Sequence, residues 1–185
     1  MHHQKLAVLA LAIYNEKQGR DFYAEAARRS PDEQGRMTFT HLSEMEIDHM
    51  RILLAEYEVA QHDKPWLSSE DALARGKEMD LSDLPSLVGA PEGVLFPPYV
   101  FPPEDEAPGI QGDIAVLEYG IRMEERTYDL YRDGWQESTD ANAKEVYALL
   151  MDEENKHFKL LQEAHAYLSA NETWWDDWQR PFFEG

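Results

Sequence analysis

The stretch HLSEMEIDHMRIL, residues 41–53, places Glu46 and His49 three positions apart among leucines and isoleucines. Residues three apart in a helix are neighbours on one face. A second stretch, LLMDEENKHFKLL at residues 149–161, repeats this spacing. In both stretches a leucine stands four positions before the glutamate and another stands four positions after the histidine. Each stretch therefore predicts a helix that carries a carboxylate and an imidazole together on its apolar face.

The two stretches belong to a longer internal repeat. A shift of 108 positions aligns the first part of the chain, up to about residue 60, with its second part without a gap. Self-similarity of this kind predicts two copies of one structural unit. The identical positions include polar as well as apolar residues: Leu9 and Leu117, Ile13 and Ile121, Glu16 and Glu124, Asp21 and Asp129, Tyr23 and Tyr131, Glu46 and Glu154, and His49 and His157.

Each copy has apolar residues at alternating three- and four-residue steps, which is typical of amphipathic helices. The spacing predicts two helices within residues 4–60 and two within residues 113–170, the third helix beginning at Asp113. Ser30-Pro31, with a glutamate three positions after the serine, matches a capping box. We therefore expect Ser30 to start the second helix.

Residues 61–112 lack this periodicity and contain eight of the ten prolines. They predict a long crossover with one short helix over residues 69–79. The tail, residues 171–185, carries five aromatic residues that we interpret as a lid on the helices or a dimer contact. The whole chain, residues 1–185, is predicted to be a single all-α domain, a four-helix bundle of two repeated helical hairpins.

The composition excludes several kinds of function. The chain has 185 residues, with 37 acidic against 17 basic side chains and a formal net charge of −20. Such an excess of acid argues against nucleic-acid binding, which needs clustered Lys and Arg. The sequence contains no cysteine, so disulfides, thiolate metal sites and iron–sulfur clusters are excluded. Carboxylates and imidazoles are left as metal ligands.

No stretch approaches the roughly 20 apolar residues of a membrane-spanning helix. The apolar run from Leu6 to Ile13 after Lys5 has some features of a short signal peptide. Its spacing continues into the rest of the first helix, as in a folded segment. We therefore expect a soluble, cytoplasmic protein without a membrane partner.

Glutamates on the first and third helices complete a candidate metal site. Each lies 30 positions before the glutamate of a Glu-x-x-His motif, so antiparallel pairing of helices brings it level with that motif. One Glu from each of two helices and Glu-x-x-His from each of the other two is the ligand set of di-iron and di-manganese bundles. The predicted ligands are Glu16, Glu46, His49, Glu124, Glu154 and His157.

Charge and ligand type favour two iron ions, with manganese as the other option. The four glutamates carry four negative charges, which two ferrous ions neutralise. Oxygen ligands with two imidazoles suit iron or manganese better than softer metals. A lone Glu-x-x-His motif is usually a solvated surface pair. Four unpaired carboxylates on core-facing stripes would each cost several kcal/mol, so the repeated motif indicates a metal centre.

Other residues near the motifs have less specific interpretations. Tyr23 and Tyr131 can be redox-active groups or hydrogen-bonding partners of the ligands, but aromatic residues on a core stripe usually serve packing, which we favour. Glu118 and Glu125 can add a ligand or solvate the helix, and we favour the latter. No carboxylate stands three positions before His41, His62 or His165, so these histidines are predicted to lie at the surface.

The motifs resemble those of the rubrerythrin-like branch of the ferritin-like superfamily: Glu16-x-x-Gly19-x-x-Phe22-Tyr23 and Glu46-x-x-His49 in the first copy, and Glu124 and Glu154-x-x-His157 in the second. The resemblance implies a ferritin-like four-helix bundle with a long crossover between helices 2 and 3. It also implies a non-haem di-iron centre, in which the six predicted ligands are the metal-binding and catalytic residues. Glu46 and Glu154 are then the bridging carboxylates.

Two departures from rubrerythrins limit what the resemblance implies. Rubrerythrins carry a rubredoxin domain with cysteines that supplies electrons, whereas this chain has no cysteine. They also have an additional glutamate where this sequence has Thr127. The ligand set is thus closer to the symmetric one of bacterioferritins, and any electron donor must be a separate molecule.

By this resemblance we expect an oxidoreductase of the peroxidase or ferroxidase type, whose di-ferrous centre transfers two electrons to hydrogen peroxide or dioxygen. Two alternatives stay open: an iron-binding protein for storage or delivery, and a metal-stabilised structural or regulatory bundle. We expect a homodimer from the family resemblance and from the aromatic tail.

Overall fold

The computed structural model describes residues 2–79, 81, 94–95, 97–103 and 109–175. Within these residues the structure has five α-helices and no β-strand, which confirms the predicted all-α class. Over the same residues, no helix is both long and apolar enough to span a membrane. The helices are α1 (His2–Arg29), α2 (Glu33–Gln61), α3 (Ser69–Gly76), α4 (Ile110–Glu137) and α5 (Ala141–Asn171).

The starts of α2 and α4 differ from the sequence prediction. The N-cap of α2 is Asp32, whose side chain accepts a hydrogen bond from the Gln34 N–H at 2.8 Å. The predicted capping box at Ser30 is wrong, because Ser30 is buried and its hydroxyl donates to Asp113 Oδ2 at 2.8 Å. Helix α4 begins at Ile110, three residues before Asp113. The residue before it, Gly109, has a φ of 60°, a backbone conformation that residues other than glycine rarely adopt, and the chain turns there into the helix.

Helices α1 and α2 run antiparallel and pack along each other. Two contacts define their register: the Ser43 hydroxyl donates to the Arg20 carbonyl at 3.1 Å, and the His49 ring meets Glu16 further along both helices. Helices α4 and α5 pair in the same way, and α1 also packs against α4. The short helix α3, which ends at Gly76 rather than at residue 79, packs against α2 and α5.

The buried apolar side chains form two clusters. One contains Leu42 and Leu161, and the other contains Leu53 and Leu150. These four leucines flank the two Glu-x-x-His motifs in the sequence, so each motif lies between the clusters. The polar residues of the motifs are thus enclosed by an apolar layer on either side.

The first residues of the C-terminal tail pack on the helices. Trp174 and Trp175 are buried, and the Trp174 indole N–H donates to Asp113 Oδ2 at 2.8 Å. These two tryptophans therefore do not form the exposed surface on which the dimer prediction partly rests. The other aromatic residues of the tail lie outside the described residues: Trp178, Phe182 and Phe183.

Candidate metal centre

The six residues predicted as ligands lie together in the interior of the structure. Each of them is at most 3% exposed. Their nitrogen and oxygen atoms form groups within 4.8 Å of one another, a spacing that lets one ion contact several of them. Helix α1 contributes Glu16, α2 contributes Glu46 and His49, α4 contributes Glu124, and α5 contributes Glu154 and His157.

The first group consists of His49, Glu16, Glu46 and Glu154. The Nδ1 atom of His49 lies 3.2 Å from Glu16 Oε2 and 3.3 Å from Glu46 Oε2. The same atom lies 3.1 Å from Glu154 Oε1. Three carboxylates and one imidazole nitrogen thus converge on one point, which is a donor set that can hold a metal ion.

The second group contains Glu124, Glu154 and His157. The Nδ1 atom of His157 lies 3.6 Å from Glu124 Oε2 and 3.5 Å from Glu46 Oε1. Its ring is stacked on that of His49, with centroids 5.1 Å apart and planes at 14°. Glu154 belongs to both groups, and Glu46 directs one oxygen toward each histidine. These two carboxylates lie between the groups, where a bridging ligand has to lie.

Some buried polar atoms of the cluster make no well-aligned hydrogen bond with the described residues, although His49 Nδ1 lies 3.1 Å from one of them, Glu154 Oε1. They are both carboxylate oxygens of Glu154 and both ring nitrogens of His157. An unsatisfied buried polar group costs about 1–3 kcal/mol, and more if it is charged. A bound cation would satisfy these atoms, so the donor set fits a metal ion.

Burial and mutual contact shift the pKa values of the cluster. Burial, with Glu46 close by, raises the pKa of Glu16 to about 8, and burial also raises the pKa of Glu154 well above its ordinary value. Burial by itself would lower the pKa of His157, but contacts with Glu124 and Glu46 raise it to about 9. Such groups must lose protons before they bind a metal ion, so metal affinity falls as the pH falls.

Two tyrosines make reciprocal hydrogen bonds between α1 and α4. The Tyr23 hydroxyl donates to Glu124 Oε1, and the Tyr131 hydroxyl donates to Glu16 Oε1. Burial raises the pKa of both hydroxyls well above 10, which keeps them protonated as donors. The favoured interpretation, packing, is confirmed because both rings belong to the buried apolar clusters, but it is incomplete because the hydroxyls also bond the glutamates. Helical spacing cannot reveal a partner on another helix, and the one available signal was that the tyrosines are a matched pair in the repeat.

The other candidate residues do not belong to the ligand groups. Glu118 and Glu125 are exposed, as predicted. His62 is exposed, whereas His41 and His165 are half-buried. His165 Nε2 lies 3.3 Å from Glu118 Oε1. The surface prediction for His41 and His165 is thus only partly right, because neighbouring residues cover part of each ring.

Comparison of the chain with protein-family models, with characterised proteins and with solved structures found no match. The fold and the site nevertheless define a class: an all-α protein with buried groups of glutamates and histidines that can hold metal ions. Any inference about its function rests on the chemistry of this cluster.

Proposed function

We propose that the chain is a ferritin-like carboxylate protein that binds two iron ions and uses them to reduce hydrogen peroxide or dioxygen. The strongest support is the pair of ligand groups that share Glu154, with Glu46 between the two histidines. Two single glutamates and two Glu-x-x-His motifs on four helices are the di-iron or di-manganese ligand set of bundles. In this assignment Glu16 and Glu124 would each hold one metal ion, and Glu46 and Glu154, which lie between the two histidines, would be shared by both.

The proposed architecture consists of two helical hairpins, α1–α2 and α4–α5, related by the sequence repeat. The reciprocal bonds of Tyr23 and Tyr131 support it, because each tyrosine reaches a glutamate of the other copy. The stacked rings of His49 and His157 support it as well. A pseudo-two-fold relation of this kind exchanges the two metal positions, so both ions receive similar ligands.

Electrostatics favours two divalent ions in the cluster. Four ionised glutamates would place four negative charges in the interior, and two divalent ions neutralise them. When bound, an iron pair supplies the two reducing equivalents that hydrogen peroxide requires. The chain itself orients the carboxylates through Tyr23 and Tyr131 and limits water access through the apolar layers. Because the sequence has no cysteine, the electrons must come from a separate donor.

Metal analysis and rapid kinetics test this function. Purified protein is expected to contain about two iron or manganese ions per chain. Stopped-flow mixing of the Fe(II)-loaded protein with hydrogen peroxide and, separately, with dioxygen identifies the oxidant by the faster reaction. Uptake of many iron ions per chain would instead indicate storage or delivery. Protein that binds neither metal and gives no ferric absorption with added Fe(II) would contradict the proposal.

A further inference from the structure

A groove of about 490 Å³ between α4 and α5 reaches two carboxylates of the metal cluster. Its lining includes Glu124 and Glu154, which are only 2% and 1% exposed. Both carboxylate oxygens of Glu154 lack a well-aligned hydrogen-bond partner among the described residues. Because one water takes up about 30 Å³ of liquid, the groove has room for a hydrated divalent ion.

The outer part of the groove carries charged side chains and opens to solvent. Glu125 and Asp129 line it and are exposed. Arg126 also lines it, but its guanidinium donates to the Leu95 carbonyl at 2.5 Å. Asp129 is paired with Arg132 at 2.6 Å, so its negative charge is largely offset. The carboxylate of Glu125, at the mouth of the groove, attracts cations toward it.

The equivalent face of the first copy has different side chains. The shift of 108 positions relates Asn155, which lines the groove, to the apolar Ile47 on α2. It also relates the exposed Glu125 to a lysine, Lys17. Lys17 pairs at 2.6 Å with Asp21, the counterpart of Asp129. The two faces therefore differ in polarity and charge, although the ligands beneath them match.

We propose that the groove between α4 and α5 is the route by which hydrated divalent cations reach the buried carboxylates, and that the α1–α2 face is not. Glu125 attracts the ion, and Asn155 offers a polar wall on the way to Glu154. This inference rests on the proposed metal centre and adds the side of the bundle from which its metal ions enter. Loading of both metal positions then depends on one side of the bundle.

A steric test measures the rate of metal uptake without any redox reaction. Co²⁺ is mixed with metal-free protein, and the visible absorption of bound Co²⁺ is followed by stopped flow. Asn155→Trp narrows the groove and should slow uptake severalfold at unchanged final stoichiometry. Ile47→Trp, the matched variant on the other face, should leave the rate at the parent value.

A charge test keeps the proposal decidable if either tryptophan variant unfolds, as circular dichroism would show. The double variant Glu125→Gln/Asp129→Asn should take up Co²⁺ about tenfold more slowly at low salt, with a weaker salt dependence. The control, Glu145→Gln/Glu163→Gln, makes the same change of charge at exposed sites of α5 away from the groove. It should take up Co²⁺ at the parent's rate.

The outcomes separate this inference from the proposed function. Co²⁺ that binds with equal rates to the parent and to all groove variants would overturn the groove as the route while leaving the metal centre intact. A larger effect of Ile47→Trp than of Asn155→Trp would overturn it as well. Failure of the parent protein to bind Co²⁺, Fe²⁺ or Mn²⁺ would contradict the metal centre itself.

Discussion

At the residue scale, the ligand cluster contains polar side chains that are buried without well-aligned hydrogen-bond partners among the described residues. Glu154 and His157 are almost completely buried, yet their side-chain polar atoms make no well-aligned hydrogen bond with the described residues. The Glu-x-x-His spacing made both residues predictable as ligands, because three-residue spacing is a local property of a helix. The hydroxyl partners Tyr23 and Tyr131 were not predictable in this way, since each bonds a residue more than a hundred positions away.

Replacing Glu124 by alanine should remove a ligand of the second group. We expect about one tightly bound metal ion per chain instead of about two, measured by elemental analysis after gel filtration. Glu118→Ala, an exposed position on the same helix, is the control and should retain both ions. Unchanged stoichiometry in Glu124→Ala would rule out its assignment as a ligand.

Glu56 is a buried carboxylate outside the cluster. It accepts a hydrogen bond from the Leu67 backbone N–H at 3.2 Å. Burial raises the pKa of Glu56 from 4.5 to about 7, with Leu67 and Lys5 acting in the opposite direction. The folded protein therefore holds a proton that the unfolded chain releases. Through Glu56, the free energy of unfolding falls as the pH rises from the unfolded pKa to the folded pKa and is constant above it.

Glu56→Gln should remove this pH dependence while it keeps an oxygen acceptor for Leu67. We expect the variant to be more stable than the parent by about 2–3 kcal/mol above the folded pKa, and equally stable below the unfolded pKa. Urea unfolding of metal-free protein across this pH range measures the difference. Glu58→Gln, at an exposed site paired with Arg75, should keep the parent's pH dependence. Parallel pH profiles for Glu56→Gln and the parent would contradict the assignment.

At the element scale, one carboxylate joins three segments of the chain. Asp113 Oδ2, in the first turn of α4, accepts hydrogen bonds from Ser30 at the end of α1 and from Trp174 after α5, each at 2.8 Å. Helix periodicity predicted α1, α4 and α5, but it could not predict this junction because the three residues are far apart in sequence. For the same reason Ser30 was mistaken for a helix cap.

Trp174→Phe should destabilise the protein by removing the indole donor while keeping an aromatic ring. We expect a loss of about 1–2 kcal/mol in the free energy of unfolding, because Asp113 is left with one donor fewer. Trp175→Phe is the matched control, since the Trp175 indole N–H is buried without a partner among the described residues. Chemical denaturation of both variants measures the difference. Equal losses would assign the effect to ring volume rather than to the hydrogen bond.

At the scale of the whole molecule, metal binding and folding are coupled. The ligands come from four helices, so an unfolded chain cannot present them together. Metal ions that bind the folded state alone raise the free energy of unfolding. The formal net charge of −20 also contributes, since bound cations lower the repulsion within the folded chain.

Addition of Mn²⁺ to chelator-treated protein should raise the melting temperature. At a free concentration of about 100 times the dissociation constant, each site adds about 2.7 kcal/mol to the free energy of unfolding. Differential scanning calorimetry measures the shift. His157→Ala should show a smaller shift than the parent, and Ca²⁺, which prefers more oxygen ligands, should have little effect. Equal stabilisation by Ca²⁺ and Mn²⁺ would indicate nonspecific screening.

The sequence by itself determined the helical class, the four long helices and the six candidate ligands. These follow from periodicity within single helices and from the 108-residue repeat, both of which are visible in the chain. Only the tertiary structure decided the reciprocal tyrosine bonds, the Ser30–Asp113–Trp174 junction and the groove between α4 and α5. Each of these depends on side chains of different segments meeting in space, and the spacing within one helix does not encode which side chains of another segment it meets.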